Sequence, residues 1–227
     1  EEYRGLFDDD LISIIVYGSA ASSDYIHGRS DINLLIVLTE EGIEDLDKAF
    51  KTVARWKKKR VSTPLFLTRE YIENSLDTFP VEYINFRSAY RVLYGEDLLG
   101  PLNFRKEFVR LQCEREMRGK MLVLRQAFLD TEGKIAAIKN LTGQSLKAFL
   151  AIFRAILYLE DLDIPENSRA LIKEASKITG VNRAIFHKLL ELKEGKIKLR
   201  GDQILSFSKE YLKETRRLVK FIDSMGG

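Results

Sequence analysis

Apolar positions follow two regimes along this chain. Over roughly the first 100 residues, short apolar runs alternate with amphipathic stretches. Residues 11–16 (LISIIV) are short, apolar and rich in β-branched side chains, which predicts a buried strand. Residues 19–25 have room for a short helix, and residues 33–38 (NLLIVL) predict a second strand. From Ile43, apolar residues recur at 46, 49, 50, 53 and 56, the spacing of one helical face. Residues 61–67 read as a third strand, and Pro64 within it favours an edge position. Thr68 is placed to cap a helix beginning REYIENSL. A segment over 79–86, a strand-like YRVLYG at 90–95 and a Gly-Pro break at 100–101 complete this half.

Beyond that break the period becomes almost wholly helical. Phe104, Phe108, Leu111, Met117, Met121, Leu124 and Phe128 mark one long element. Further helices are predicted near 143–160, 166–178, 182–193 and 202–224. Gly180, Gly195 and Gly201 supply breaks, and Asp202 is an expected N-cap. The pattern predicts an α/β domain over residues 1–100 and a bundle of about five helices over 101–227.

Composition narrows the class. The 227 residues are 45% hydrophobic and 31% charged, enough for a sizeable core under a well-charged surface. No run reaches 18 apolar residues, so no membrane span is expected. A single cysteine, Cys113, excludes an internal disulfide and fits a reducing, cytoplasmic setting. It falls in a helical pattern, where a structural role is expected. The start carries no signal-peptide pattern, and the missing initiator Met is consistent with a native start upstream. The net charge of +3 conceals a division, −6 over residues 1–100 against +9 over 101–227. A basic second half suits either a phosphate-rich partner or the acidic half beside it, and the second is favoured.

The chemistry concentrates between residues 16 and 38. The first strand ends in Tyr17-Gly18-Ser19 and turns towards a helix, where backbone N–H groups, the Ser19 hydroxyl and the helix dipole would attract a phosphate. Gly18 permits close approach to the backbone. The second strand opens Asp31-Ile32-Asn33, and residues two apart on a strand share a face. Two carboxylates at that spacing would hold Mg²⁺, which prefers oxygen ligands and keeps substrate phosphates in its shell.

These residues resemble the nucleotidyltransferase superfamily with the DNA polymerase β and kanamycin nucleotidyltransferase fold. Its signature runs hydrophobic-Gly-Ser, a spacer of about nine to thirteen residues, then Asp-hydrophobic-Asp/Glu-hydrophobic. Tyr17-Gly18-Ser19, an eleven-residue spacer and Asp31-Ile32-Asn33-Leu34 match it except at the second acid. The third family carboxylate belongs on the next strand, and residues 61–67 (VSTPLFL) contain none. FPVEYINF and YRVLYGEDLL, and the helical half, also resemble segments of proteins in this group. The resemblance implies a mixed sheet with helices, followed by an all-α bundle. It implies a protein that binds an NTP with Mg²⁺ and transfers a nucleoside monophosphate to an acceptor received between the halves. Gly18, Ser19 and Arg29 would bind the nucleotide. Asp31 would be the catalytic residue and, with Asn33, the metal site.

Charge argues against a full set of metals. Three carboxylates present −3, whereas Asp31 with neutral Asn33 presents −1, and ligand charge tunes affinity steeply. One ion is therefore expected in preference to two. The alternative is a pseudoenzyme: an inactive protein of this fold that binds a nucleotide, RNA or another protein. Asp24, Glu70, Asp77 and Glu82 are acids outside the family positions.

Other candidates are weaker. Ser19 lacks the Gly-x-Ser-x-Gly setting of a nucleophile. His27 reads as a solvated loop residue, and the neighbouring Arg29 as the better phosphate ligand because it stays charged. Arg183 and His187 sit four apart, close to the Arg…His spacing of HEPN ribonucleases but shorter by a residue. Trp56 falls on an apolar stripe and reads as core, with residues 57–60 (KKKR) as a solvated helix end. Nucleic acid is a possible partner but not the favoured one, since no named binding motif is present.

Overall fold

The computed structural model describes residues 1–132 and 134–225, the side chains of residues 135–145 and 202 apart. The chain divides into two compact units, Glu1–Arg105 and Lys106–Gly227.

The first unit runs α1 (Glu2–Phe7), β1 (Leu11–Tyr17), β2 (Asn33–Leu38), α2 (Glu40–Glu44), α3 (Phe50–Lys57), β3 (Leu65–Thr68), α4 (Arg69–Asn74), α5 (Pro80–Arg87) and β4 (Tyr90–Gly95). The four strands form one mixed sheet in the order β3-β2-β1-β4. β1 is antiparallel to both β2 and β4, and β3 runs parallel to β2. Ile15, Leu35, Ile36, Val37 and Leu38 are fully buried, which is why β1 and β2 read as unbroken apolar runs. Tyr3 and Phe7 of α1 close over Ile14, Ile36 and Leu38, a cover that the first ten residues did not advertise.

Two local expectations hold. Thr68 caps α4, its Oγ1 accepting the Tyr71 N–H at 3.1 Å. The Pro64-led β3 is an edge strand, shorter than expected, and Val61 makes only an isolated bridge to Ile32.

The helical face drawn from Ile43 is corrected. It breaks into α2, a 3₁₀ turn over Leu46–Ala49 and α3. Phe50, counted on that face, is 71% exposed. Thr39 caps α2 through the Gly42 N–H, and Gly42 packs so closely that a Cβ there would lie 2.7 Å from the Asp10 side chain. α2 ends at Asp45, whose N–H bonds to the Gly42 carbonyl, and the chain continues as the 3₁₀ turn. Trp56 is only half-buried and is not core. Its Nε1 donates to Glu2 at 2.8 Å, and the Lys59 ammonium lies over its ring.

The second unit holds α6 (Lys106–Asp130), α7 (Ile135–Leu159), α8 (Ser168–Thr179), α9 (Arg183–Lys193) and α10 (Gly201–Ser224). Phe149, Phe153, Phe186 and Tyr211 stack edge-on in its core. Cys113 is buried on α6. Asn167 and Asn182 cap α8 and α9, and Gly180 ends α8 in the left-handed region at φ 67°. Arg200, rather than Asp202, is the residue before α10, and the Asp202 side chain lies outside the described residues.

Candidate functional site

The antiparallel register pairs Tyr17 with Asn33, so the end of β1 and the start of β2 meet at one end of the sheet. Gly18 follows at φ +75°, a conformation that glycine adopts without strain. A Cβ built on Gly18 would lie 3.6 Å from the Asn33 side-chain nitrogen. Gly18 and Asn33 are therefore in direct proximity.

The turn itself differs from expectation. Gly18–Ala21 is a single 3₁₀ turn rather than a helix over 19–25. Four residues carry no useful macrodipole. The Gly18 N–H is also committed, donating to the Ala89 carbonyl at 2.8 Å. The Ser19 hydroxyl and the later N–H groups of the turn are the anion-binding donors it offers. The Tyr17 ring packs 4.6 Å from that of Phe86, and burial raises the Tyr17 phenol above its usual value, keeping it neutral.

Asp31 has a different neighbour. Its carboxylate lies 3.6 Å from Nε of Arg60, and both side chains are about half exposed, 55% and 52%. The same guanidinium donates to the Arg29 carbonyl at 3.0 Å, while the Ile32 N–H donates to the Arg60 carbonyl at 2.9 Å. Arg29 is exposed and contributes its backbone to this knot. His27 is exposed in the same loop, and the Ser30 hydroxyl accepts the Ile26 N–H.

Register explains what stands where a third acid would belong. Ile32 bridges Val61 in the parallel sense, and the Ser62 N–H donates to the Ile32 carbonyl. Ser62 follows that isolated bridge, and the pairing resumes one residue out of register at Leu35–Leu65, so residues 62–64 lie outside the regular sheet. The track beside Asp31 and Asn33 carries a cation and a hydroxyl, Arg60 and Ser62. Glu70 follows β3, whose last residue Thr68 pairs with Leu38, so it lies at the opposite end of the sheet.

A Mg²⁺ pair can be tested against these donors. It would find one carboxylate, already facing a guanidinium, one neutral amide and no acid on the third strand. Among the described residues, no group of three His, Cys, Asp or Glu is placed to hold a metal ion. The residues do not fit a metal pair.

Known proteins were compared with this geometry. No protein-family model matches the sequence, and no curated protein matches it. Among solved structures, the spectinomycin adenyltransferase AAD(9) from Enterococcus faecialis, determined with ATP and spectinomycin, aligns at a TM-score of 0.55 and 11% identity. The alignment covers 95% of this chain and 94% of that one. The fold is that of a nucleotidyltransferase. The Gly18-Ser19…Asp31 motif of the sequence falls at the Tyr17–Asn33 end of this sheet. Sequence reasoning missed Arg60, which it left on a solvated helix end. No local signal in the sequence shows that residue 60 returns beside Asp31.

The Arg183–His187 pair is real as a contact, Arg183 Nε donating to His187 Nε2 at 3.1 Å. Burial, then the charges of Arg183 and Arg169, lower the His187 pKa, so the imidazole is held neutral. No helix among the described residues is long and apolar enough to cross a membrane.

Proposed function

We propose that the first unit binds a nucleoside triphosphate at the Gly18–Asn33 end of its sheet, and that nucleotidyl transfer has been lost. Support for the site comes from the nucleotidyltransferase fold together with the Gly18-Ser19…Asp31 signature at the sheet end. The observation that carries the loss of transfer is the Arg60–Asp31 ion pair beside neutral Asn33 and Ser62. Two-metal transfer needs anionic ligands on both sides of the reacting phosphate, to activate the attacking oxygen and to stabilise the leaving pyrophosphate. Here those ligands present a single negative charge, and the Arg60 guanidinium beside it offsets that. In this reading Ser19 hydrogen-bonds the phosphates, Arg29 supplies positive charge from the loop and Asp31 orients the cations around them.

Titration calorimetry with ATP, GTP, CTP and UTP tests this directly. Saturable binding of at least one, weakened by Ser19→Ala, is expected. Absence of binding to all four would remove the proposal.

A second reading is favoured by the half exposure of Asp31. In it, a single Mg²⁺ carried by the nucleotide binds at Asp31, and transfer to a small hydroxyl-bearing acceptor is retained. AAD(9) was solved with spectinomycin, which makes that compound a reasonable first acceptor to try. Pyrophosphate release by the wild-type protein would select this reading.

A further inference from the structure

We propose that Arg60 occupies the role of a metal ion in this site, so that nucleotide phosphates bind there without a divalent cation. The inference rests on the nucleotide-binding reading above and specifies its charge partner. Three independent features converge on Arg60.

The first is position. The Ile32–Val61 bridge and the Ile32 N–H bond to the Arg60 carbonyl set Arg60 and Val61 alongside Asp31 and Ile32, on the segment where a site built for cations would carry another acid. The chain places a cation there instead, 3.6 Å from the one remaining carboxylate. A guanidinium is always charged and presents five donors in a planar fork. Asp31 and the Arg29 carbonyl take up only part of that capacity. The fork matches a phosphate bidentately, which an ammonium cannot do.

The second is backbone conformation. Arg60 has φ +64°, in the left-handed region. A non-glycine residue is strained there, and Asn, Asp or Gly would be the ordinary occupants. The turn is held by the Lys57 carbonyl accepting the Arg60 N–H and by the Ile32 N–H donating to the Arg60 carbonyl. Turn geometry alone would be met more cheaply by glycine. An arginine retained in a strained conformation points to a use for its side chain.

The third is the strength of the existing pair. An ion pair this exposed contributes about 0–1 kcal/mol, so a phosphate group can compete for the guanidinium without a large penalty. Arg60 is also the last of a run of four exposed basic residues, 57–60, whose combined field favours a polyanion.

The test uses the full chain and two nucleotide conditions. ATP binding is measured by calorimetry in excess EDTA and in excess Mg²⁺, for wild type, Arg60→Gly and Arg60→Lys. Arg60→Gly keeps the left-handed turn and removes the cation, so its thermal melt should match or exceed that of wild type. The proposal expects wild type to bind ATP in EDTA within a few-fold of its Mg²⁺ affinity. It expects Arg60→Gly to lose about tenfold or more in EDTA, the worth of a charge-assisted bidentate contact. Arg60→Lys should recover part of that loss. Wild-type binding that requires Mg²⁺ would overturn the proposal while leaving nucleotide binding intact, as would unchanged binding by Arg60→Gly in EDTA. No ATP binding in either condition would overturn the nucleotide-binding reading as well.

Discussion

The side-chain amide of Asn33 faces Gly18, its nitrogen 3.6 Å from the point where a side chain at residue 18 would begin. That contact joins the two halves of the sequence signature. It also fixes what glycine does here. The space would admit a methyl group at ordinary van der Waals distance, so φ +75°, not crowding, is the constraint. Gly18→Ala should therefore fold with a loss of about 1 kcal/mol, read as a lower thermal melting temperature. Gly18→Val should lose more, because a β-branched residue tolerates the left-handed region less well.

Register turns the missing acids into a repair experiment. Asn33→Asp restores one charge beside Gly18. Ser62→Asp or, in a parallel variant, Thr63→Asp adds a second on the neighbouring segment, because the Ile32–Val61 bridge and the Leu35–Leu65 pairing are offset from each other by one residue. The double variant should bind Mn²⁺ at least about tenfold more tightly than wild type, since affinity follows ligand charge. Adding Arg60→Gly should strengthen it again by removing the competing cation. Manganese binding followed by electron paramagnetic resonance reads all three. Equal affinity across the series would mean that these positions do not form the metal face.

His187 yields a pH dependence. Its folded pKa lies below the usual value near 6.5, chiefly through burial and then through Arg183 and Arg169, with Glu191 opposing. A depressed histidine binds its proton less readily folded than unfolded. Its contribution to stability is thus complete above about pH 6.5 and declines as pH falls through the folded value. Wild type should lose more stability than His187→Gln between pH 7 and pH 5, measured by thermal melts at matched ionic strength. Parallel pH profiles would show that His187 does not titrate differently on folding.

Much of this architecture was legible because burial writes itself into residue type. β1 and β2 bury Ile15, Leu35, Ile36, Val37 and Leu38 and therefore read as short apolar runs, and α8 and α10 carry clear 3.6-residue stripes, whereas Leu111 on the expected stripe of α6 is 54% exposed. The failures share one cause, which is tertiary context. The apolar face of Ile43, Leu46, Ala49 and Val53 is divided by the 3₁₀ turn over Leu46–Ala49, which its spacing does not show. The Gly18 N–H is taken by the carbonyl of Ala89, just before β4 and 71 positions away in sequence. Arg60 looked solvated because nothing local says that its chain doubles back to Asp31. The signature residues Gly18, Ser19, Asp31 and Asn33 could be picked out from the string, whereas the cation among them could not.

The central claim is that this sheet end binds a nucleotide but does not run metal-dependent transfer. Pyrophosphate release tests it most directly. Wild-type protein is incubated with each labelled NTP, with Mg²⁺ or Mn²⁺, and with acceptors including spectinomycin, alongside Asp31→Ala. The account predicts release no greater than that of Asp31→Ala under every condition, with ATP still raising the melting temperature of the wild type. Robust wild-type release that disappears in Asp31→Ala would contradict it.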